Sequence, residues 1–214
     1  MRFPTRRQGV TWALAALAAA AVSTPAAAAP LSAADQALVA KAQAYLQGLG
    51  QVKGRFSQTD PRGSKSAGDI YIKRPGKARF AYDAPRNMVI VSDGSRVSVY
   101  DPRLKTFDTY PLSQTPLSLF LAKEIRIERG VDITQVTRFP NGFAITAKDS
   151  RGQTRGWITL TFANGPMRLT EWTVSDAQGA RTRVQIAALT PVAALDDGFF
   201  VLKNPLRKPS AVGR

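Results

Sequence analysis

From residue 51 onward the chain is written mostly in a period of two. Apolar and polar side chains alternate over short runs, and turn residues interrupt them roughly every 8–15 residues, the spacing of an antiparallel meander. The clearest stretch is 68–101. Ile70, Ile72 and Arg74 share one face of a strand, with Tyr71 and Lys73 on the other. Pro75-Gly76 breaks it. Ala78, Phe80 and Tyr82 then alternate with Arg79, Ala81 and Asp83, as side chains do on a pleated strand. Residues 84–87 turn the chain. Asp93-Gly94 joins Met88-Val89-Ile90-Val91 to Val97-Ser98-Val99-Tyr100, a hairpin signal because glycine accepts the positive φ of a tight turn. Further strands are predicted at 52–58, 106–110, 131–139, 143–149, 155–162, 167–175 and 180–189, with Phe199-Phe200-Val201-Leu202 as a last edge strand.

Two segments follow a helical period instead. Leu38, Val39, Ala42, Tyr45, Leu46 and Leu49 form one apolar stripe over 32–48. Ser32 is placed to cap that helix, Asp35 lies near its positive end, and Gly48 and Gly50 stop it. In 115–123, Leu117, Phe120 and Leu121 fall at i, i+3 and i+4, with Thr115 as a candidate cap and Pro116 suited to a first turn.

About 10–11 antiparallel strands with two helices make a sandwich, a closed barrel or a strongly curved open sheet. The helices favour the third. A half-open sheet leaves a concave apolar face, and monomers rarely expose large apolar patches without a partner. The two helices are expected to cover that face. A hollow beneath them, uncovered by moving a helix, suits a carrier of lipid or of an acylated cargo. Burying one methylene contributes about 0.8 kcal/mol. A ~15-methylene acyl chain therefore contributes on the order of 12 kcal/mol before the costs of binding.

Composition narrows the function. The chain has no cysteine and no histidine. It carries no lipobox cysteine, disulfide or thiolate metal ligand, and neither a thiol nucleophile nor a Ser-His triad. Asp196-Asp197 is the one acidic pair worth weighing, but adjacent residues point apart. No catalytic residue, metal site or cofactor is expected. Arg2, Arg6 and Arg7 precede an apolar run and the small residues Ala26-Ala27-Ala28-Ala29, the pattern of a secretory signal peptide. The apolar run is short of the ~20 residues that span a bilayer. Residues 1–28 are therefore expected to be a signal peptide cleaved after Ala28, with 29–203 as one domain and 204–214 as a flexible tail. Sec export is expected, although Arg6-Arg7 leaves the twin-arginine route open. Removing those three arginines takes the net charge from +15 to +12, which favours anionic partners such as headgroups or an acidic protein. Export argues against nucleic acid.

The chain resembles the LolA family, periplasmic carriers of outer-membrane lipoproteins. The resemblance rests on Phe56-Ser57-Gln58, on Gly68-Asp69-Ile70-Tyr71-Ile72-Lys73-Arg74-Pro75, on Val91-Ser92-Asp93-Gly94 with Tyr100-Asp101-Pro102, and on Thr115-Pro116-Leu117. Beyond Val131 it is mainly strand count and turns. It implies a mainly β fold, an unclosed antiparallel β-barrel with an α-helical lid over an apolar cavity. It also implies a monomer in the periplasm that takes acylated lipoproteins from an inner-membrane ABC transporter and passes them to an outer-membrane acceptor. A carrier of free lipid or glycolipid on the same scaffold is the alternative.

Arg74 matches the arginine that latches the lid in LolA-like proteins by hydrogen bonds to lid carbonyls. A guanidinium has five donors, and the last four carbonyls of a helix lack internal partners. The expected cavity lining is Ile70, Ile72, Ala78, Phe80 and Tyr82, continued by Met88, Ile90, Val97 and Val99. Leu38, Leu46, Leu117, Phe120 and Leu121 are the expected underside of the cover. Ala78 departs from the family, which often carries a bulky apolar residue there, so its role shifts to Phe80, Tyr82 or Met88.

Overall fold

The computed structural model describes residues 31–115, 117–121, 123, 131–149 and 156–207. The expected signal peptide 1–28 lies outside them, as do residues 208–214 of the expected tail. Helix α1 spans Ala33–Gln47. The Ser32 hydroxyl accepts the Asp35 N–H at 3.1 Å, satisfying a first-turn amide that has no partner within the helix. Val39, Ala42 and Leu46 are buried along one stripe. At Gly50 the backbone adopts φ +53°, and the chain turns into strands.

Six strands follow in a meander: β1 Gln51–Thr59, β2 Lys65–Lys73, β3 Lys77–Tyr82, β4 Val89–Asp93, β5 Arg96–Asp101 and β6 Thr106–Pro111. Five more come later in the chain: β7 Val131–Phe139, β8 Gly142–Asp149, β9 Trp157–Asn164, β10 Met167–Ser175 and β11 Arg181–Pro191. All eleven join one antiparallel sheet in the order β6-β5-β4-β3-β2-β1-β11-β10-β9-β8-β7. The first meander thus grows outward from β1. The second returns from the opposite edge until β11 pairs with β1. Strands β6 and β7 are the two edges and do not pair with each other. Of the connection between them, 112–115, 117–121 and 123 are described, and Leu112, Leu117 and Leu121 pack on the core cluster.

The sheet is strongly curved. Phe80 on β3 and Trp172 on β10 meet edge to face at 6.1 Å. They sit four strands apart, roughly 19 Å along a flat sheet at the usual strand spacing. Bulges interrupt the β1–β11, β9–β10 and β7–β8 ladders, and such bulges bend and twist a sheet. At two positions the curvature leaves no room for a Cβ. One built on Gly54 would lie 2.0 Å from the Ala188 carbonyl oxygen, and one on Gly68 would lie 2.2 Å from that of Ala81.

Two expected elements differ. The segment 115–123 is not one helix. A 3-10 turn at Leu112–Gln114 is followed by extended Thr115, and helix α2 spans only Ser118–Leu121. The Thr115 hydroxyl donates to the Leu112 carbonyl at 2.8 Å rather than capping α2. Pro116 and Ala122 lie outside the described residues. The run 199–202 does not add an edge strand. Phe199 and Phe200 belong to a 3-10 turn at Asp197–Phe200, capped by the Asp196 carboxylate, which packs on the outer face of β2–β4, and Val201 and Leu202 follow it in no regular element. Phe199 meets Tyr71 edge to face at 4.8 Å, and Asp197 pairs with Lys73 and Lys77. The adjacent carboxylates therefore serve structure, one as a cap and one as an ion-pair partner.

Candidate functional site

Strand register arranges the concave face in rows. Ile70 faces Phe80, Phe80 faces Ile90 and Ile90 faces Val99, one row across four strands. Beside it, Ile72, Ala78, Ser92 and Val97 form a second row. Ile70, Ile72, Ala78, Phe80, Tyr82, Met88 and Val97 are buried, and Ile90 and Val99 are half-buried against the same cluster. All nine residues expected to line the concavity thus share one apolar body. Leu46 and Leu121 are buried in it, and Leu38 and Leu117 pack against it half-buried. The side chain of Phe120 lies outside the described residues.

Several members were not singled out from sequence. Phe56 lies at the centre, edge to face with Phe80 at 5.6 Å and with Tyr82 at 5.0 Å. Phe143 stacks on Phe162 at 5.3 Å, and Tyr45 of α1 meets Phe162 at 6.1 Å. Strand alternation places Phe56, Phe143 and Phe162 on strands, but only closure of the sheet brings them to one interior. The Tyr82 hydroxyl donates to Gln58 Oε1 at 2.7 Å. Burial pushes the Tyr82 phenol up to about 12, so it stays neutral and keeps its donor.

Arg74 stands at the rim where β2 turns into β3. Its N–H donates to the Gly50 carbonyl at 2.9 Å, and its guanidinium donates to Gln47 Oε1 at 3.3 Å. Gln47 Nε2 in turn donates to the Lys123 carbonyl at 2.9 Å. The side chain is half-buried, and desolvation pulls its guanidinium below the ordinary value. Arg74, the last residue of α1 and the end of the cover segment are thus linked in series. A second tie runs beside it. Gly76 N–H donates to the Leu121 carbonyl at 2.8 Å, and the Gly76 carbonyl accepts from the buried Ser92 hydroxyl at 2.6 Å. Gly76 has φ +79°, and a Cβ there would lie 2.7 Å from Gly94 Cα. Neither Gln47, Gly76 nor Ser92 carried a signal of this role, since each partner is distant in sequence.

The opposite end of α1 is also fixed, with Arg138 of β7 donating to Asp35. The helix therefore reaches from the β7 edge to the β1–β2 rim. Among the described residues no group of three or more His, Cys, Asp or Glu side chains is placed to hold a metal. No described helix is long and apolar enough to cross a membrane.

These features can be set beside known proteins. A family model described as outer membrane lipoprotein carrier protein LolA matches residues 47–203. The chain belongs to the LolA family. Its members are periplasmic carriers of lipoproteins, and a lipid-carrying role follows for this LolA-family chain. An outer-membrane lipoprotein carrier protein of Pseudomonas fluorescens is 31% identical over 184 residues, covering 80% of this chain and 86% of the relative. One of Methylobacillus flagellatus is 28% identical over 172 residues, covering 76% and 83%. Among solved structures, a DUF1329 family protein from Desulfovibrio piger shares the fold, with TM-score 0.50 and 10% identity over 78% of this chain and 96% of that one. A LolA superfamily protein from Nitrosomonas europaea aligns with TM-score 0.47 and 9% identity, over 78% and 97%.

Proposed function

We propose that this chain takes the acyl chains of lipoproteins released from the inner membrane, shields them on the concave face of its sheet and delivers them to the outer membrane. The observation that carries the reading is a continuous apolar concave face on an unclosed sheet, with a cover tied down by a few hydrogen bonds. The lining is packed against α1 and the cover, so cargo enters by displacing a cover. The ties to be broken include, among the described residues, Gly76 to Leu121 and the Arg74–Gln47–Lys123 series. A neutral hydrogen bond contributes a net ~0.5–1.5 kcal/mol, whereas one buried acyl chain supplies on the order of 12 kcal/mol. Loss of these ties is therefore small beside the burial of cargo, and opening on loading is feasible.

In this reading Arg74 is the lid latch. Residues 1–28 direct export to the periplasm and are removed. The donor is an inner-membrane lipoprotein-releasing ABC transporter and the receiver an outer-membrane lipoprotein acceptor, met by a monomeric carrier. The test is release. Purified protein is incubated with spheroplasts, and the medium is assayed for a complex of the carrier with acylated lipoprotein. Release matching that of an established carrier is expected. No released lipoprotein under conditions where the established carrier works, or free lipid in place of acylated protein, contradicts the proposal.

A further inference from the structure

Arg86 sits where the apolar floor ends, on the 84–87 turn between β3 and β4. The turn is closed by the Asp83 carbonyl, which accepts from the Arg86 and Asn87 amides at 3.1 Å each. That closure folds the Arg86 side chain back over the concave cluster. Its guanidinium carbon lies 5.4 Å from the centre of the Tyr82 ring, and one terminal nitrogen lies 3.9 Å from Met88 Sδ. Tyr82 and Met88 are both buried members of the cluster. The Nε of Arg86 is buried and has no hydrogen-bond partner among the described residues. The carboxylate flanking the turn does not answer it, because Arg55 grips Asp83 through both oxygens.

A guanidinium donor held dry without an acceptor is costly. Thioether sulfur is a weak acceptor, and the face of Tyr82 offers only a cation–π contact. The Tyr82 hydroxyl is already engaged with Gln58. The floor therefore runs from an aromatic body, Phe80, Phe56 and Tyr82, to an unmet cationic donor. That order matches an amphiphile with acyl chains on one side and an acceptor oxygen at their head.

We infer that Arg86 is the head-group anchor of the cargo site, donating to an acyl carbonyl oxygen of a lipid-modified peptide whose chains lie along Phe56, Phe80, Tyr82 and Met88. This rests on the carrier reading and deepens it. It places the polar end of the cargo at the 84–87 rim, the end of β3 opposite the Arg74 turn, so the attached polypeptide leaves there rather than beneath the cover.

The experiment compares two probes on the mature protein by titration: a lipopeptide with two ester-linked acyl chains on its N-terminal cysteine, and its diether analogue, which lacks the two ester carbonyls. The unaltered protein is expected to prefer the ester by about tenfold, the worth of a hydrogen bond to a charged donor. Arg86→Met is expected to lose that preference, so that its ester and diether affinities become equal. Arg86→Lys, which keeps the charge, is expected to retain part of it. An ester preference that survives in Arg86→Met, or that is absent from the unaltered protein while both probes bind, overturns the anchor and leaves the carrier reading standing. Failure of the unaltered protein to bind either probe removes both.

Discussion

The concave face has two covers, built differently. Helix α1 has 15 residues, a capped start and a buried stripe, and is fixed at both ends by Arg138 and Gln47. The segment after β6 has a 3-10 turn and a four-residue helix. The described ties at its end run through the carbonyls of Leu121 and Lys123. Four residues are far below the length at which a helix is stable by itself, so α2 depends on its docking. Both covers bury leucines in the core cluster, and in the carrier proposed above the second cover is the one that opens.

The largest expected effect separates them. Leu46 and Leu121 are equally buried, at 1% and 0% exposure. Leu46→Ala is expected to cost about 2–5 kcal/mol in chemical denaturation, as a core truncation does. Leu121→Ala is expected to cost clearly less, because a segment that detaches alone loses at most its own opening free energy. Amide exchange in 117–123 should instead become faster. Equal global losses would show that the two covers unfold as one.

Arg74→Leu comes next. It removes the donor to Gln47 and leaves the Gly76 tie, so uptake of lipoprotein from spheroplasts is expected to persist while delivery to acceptor-bearing membranes falls. Undiminished delivery would discard the latch. Ser32→Ala should weaken α1 alone by about 1 kcal/mol, the usual worth of an N-cap. A thermal unfolding curve checks it, and amide exchange in 117–123 should not change.

The smallest effect concerns the outer face, where Asp197 anchors the C-terminal segment. Lys73 and Lys77 hold its carboxyl down at about 2, against about 3.9 in an unfolded chain. A depressed carboxyl stabilises above the unfolded value and loses that contribution as pH falls through the folded one. Docking of 197–200 should therefore loosen between about pH 4 and pH 2, and Asp197→Asn should remove the pH dependence. Limited proteolysis after residue 191 with an acid-stable protease would report it. Unchanged cleavage across that window would assign the docking to the other contacts, Phe199 and Phe200 packing and the Arg79 bond to the Phe199 carbonyl.

Much of the concave face was legible in the sequence. A period of two is fixed by strand geometry, so Ile70 had to share a face with Ile72, and Ala78 with Phe80 and Tyr82; the β2–β3 register then joined the two sets. The covers were less legible. Leu117, Phe120 and Leu121 carry helical spacing, but spacing does not set length, and Thr115 spends its hydroxyl on Leu112. Phe199-Phe200-Val201-Leu202 has strand composition, yet Asp196 caps a turn there and the sheet offers an outer face for the aromatics. The ties through Gln47, Gly76 and Ser92 depend on partners brought near by closure of the sheet. Arg86 read as an ordinary turn residue for the same reason. Its surroundings, Tyr82 and Met88, exist as a surface only once the sheet has curved.

The most direct test compares the two faces of the sheet. A photoreactive phenylalanine analogue is placed at Phe80, on the concave face, or at Tyr71, on the outer face, and the protein is loaded with lipoprotein carrying labelled acyl chains. Label is expected to attach at position 80 and not at 71. Equal labelling at both positions, or labelling only at 71, would contradict a cargo site inside the curved sheet.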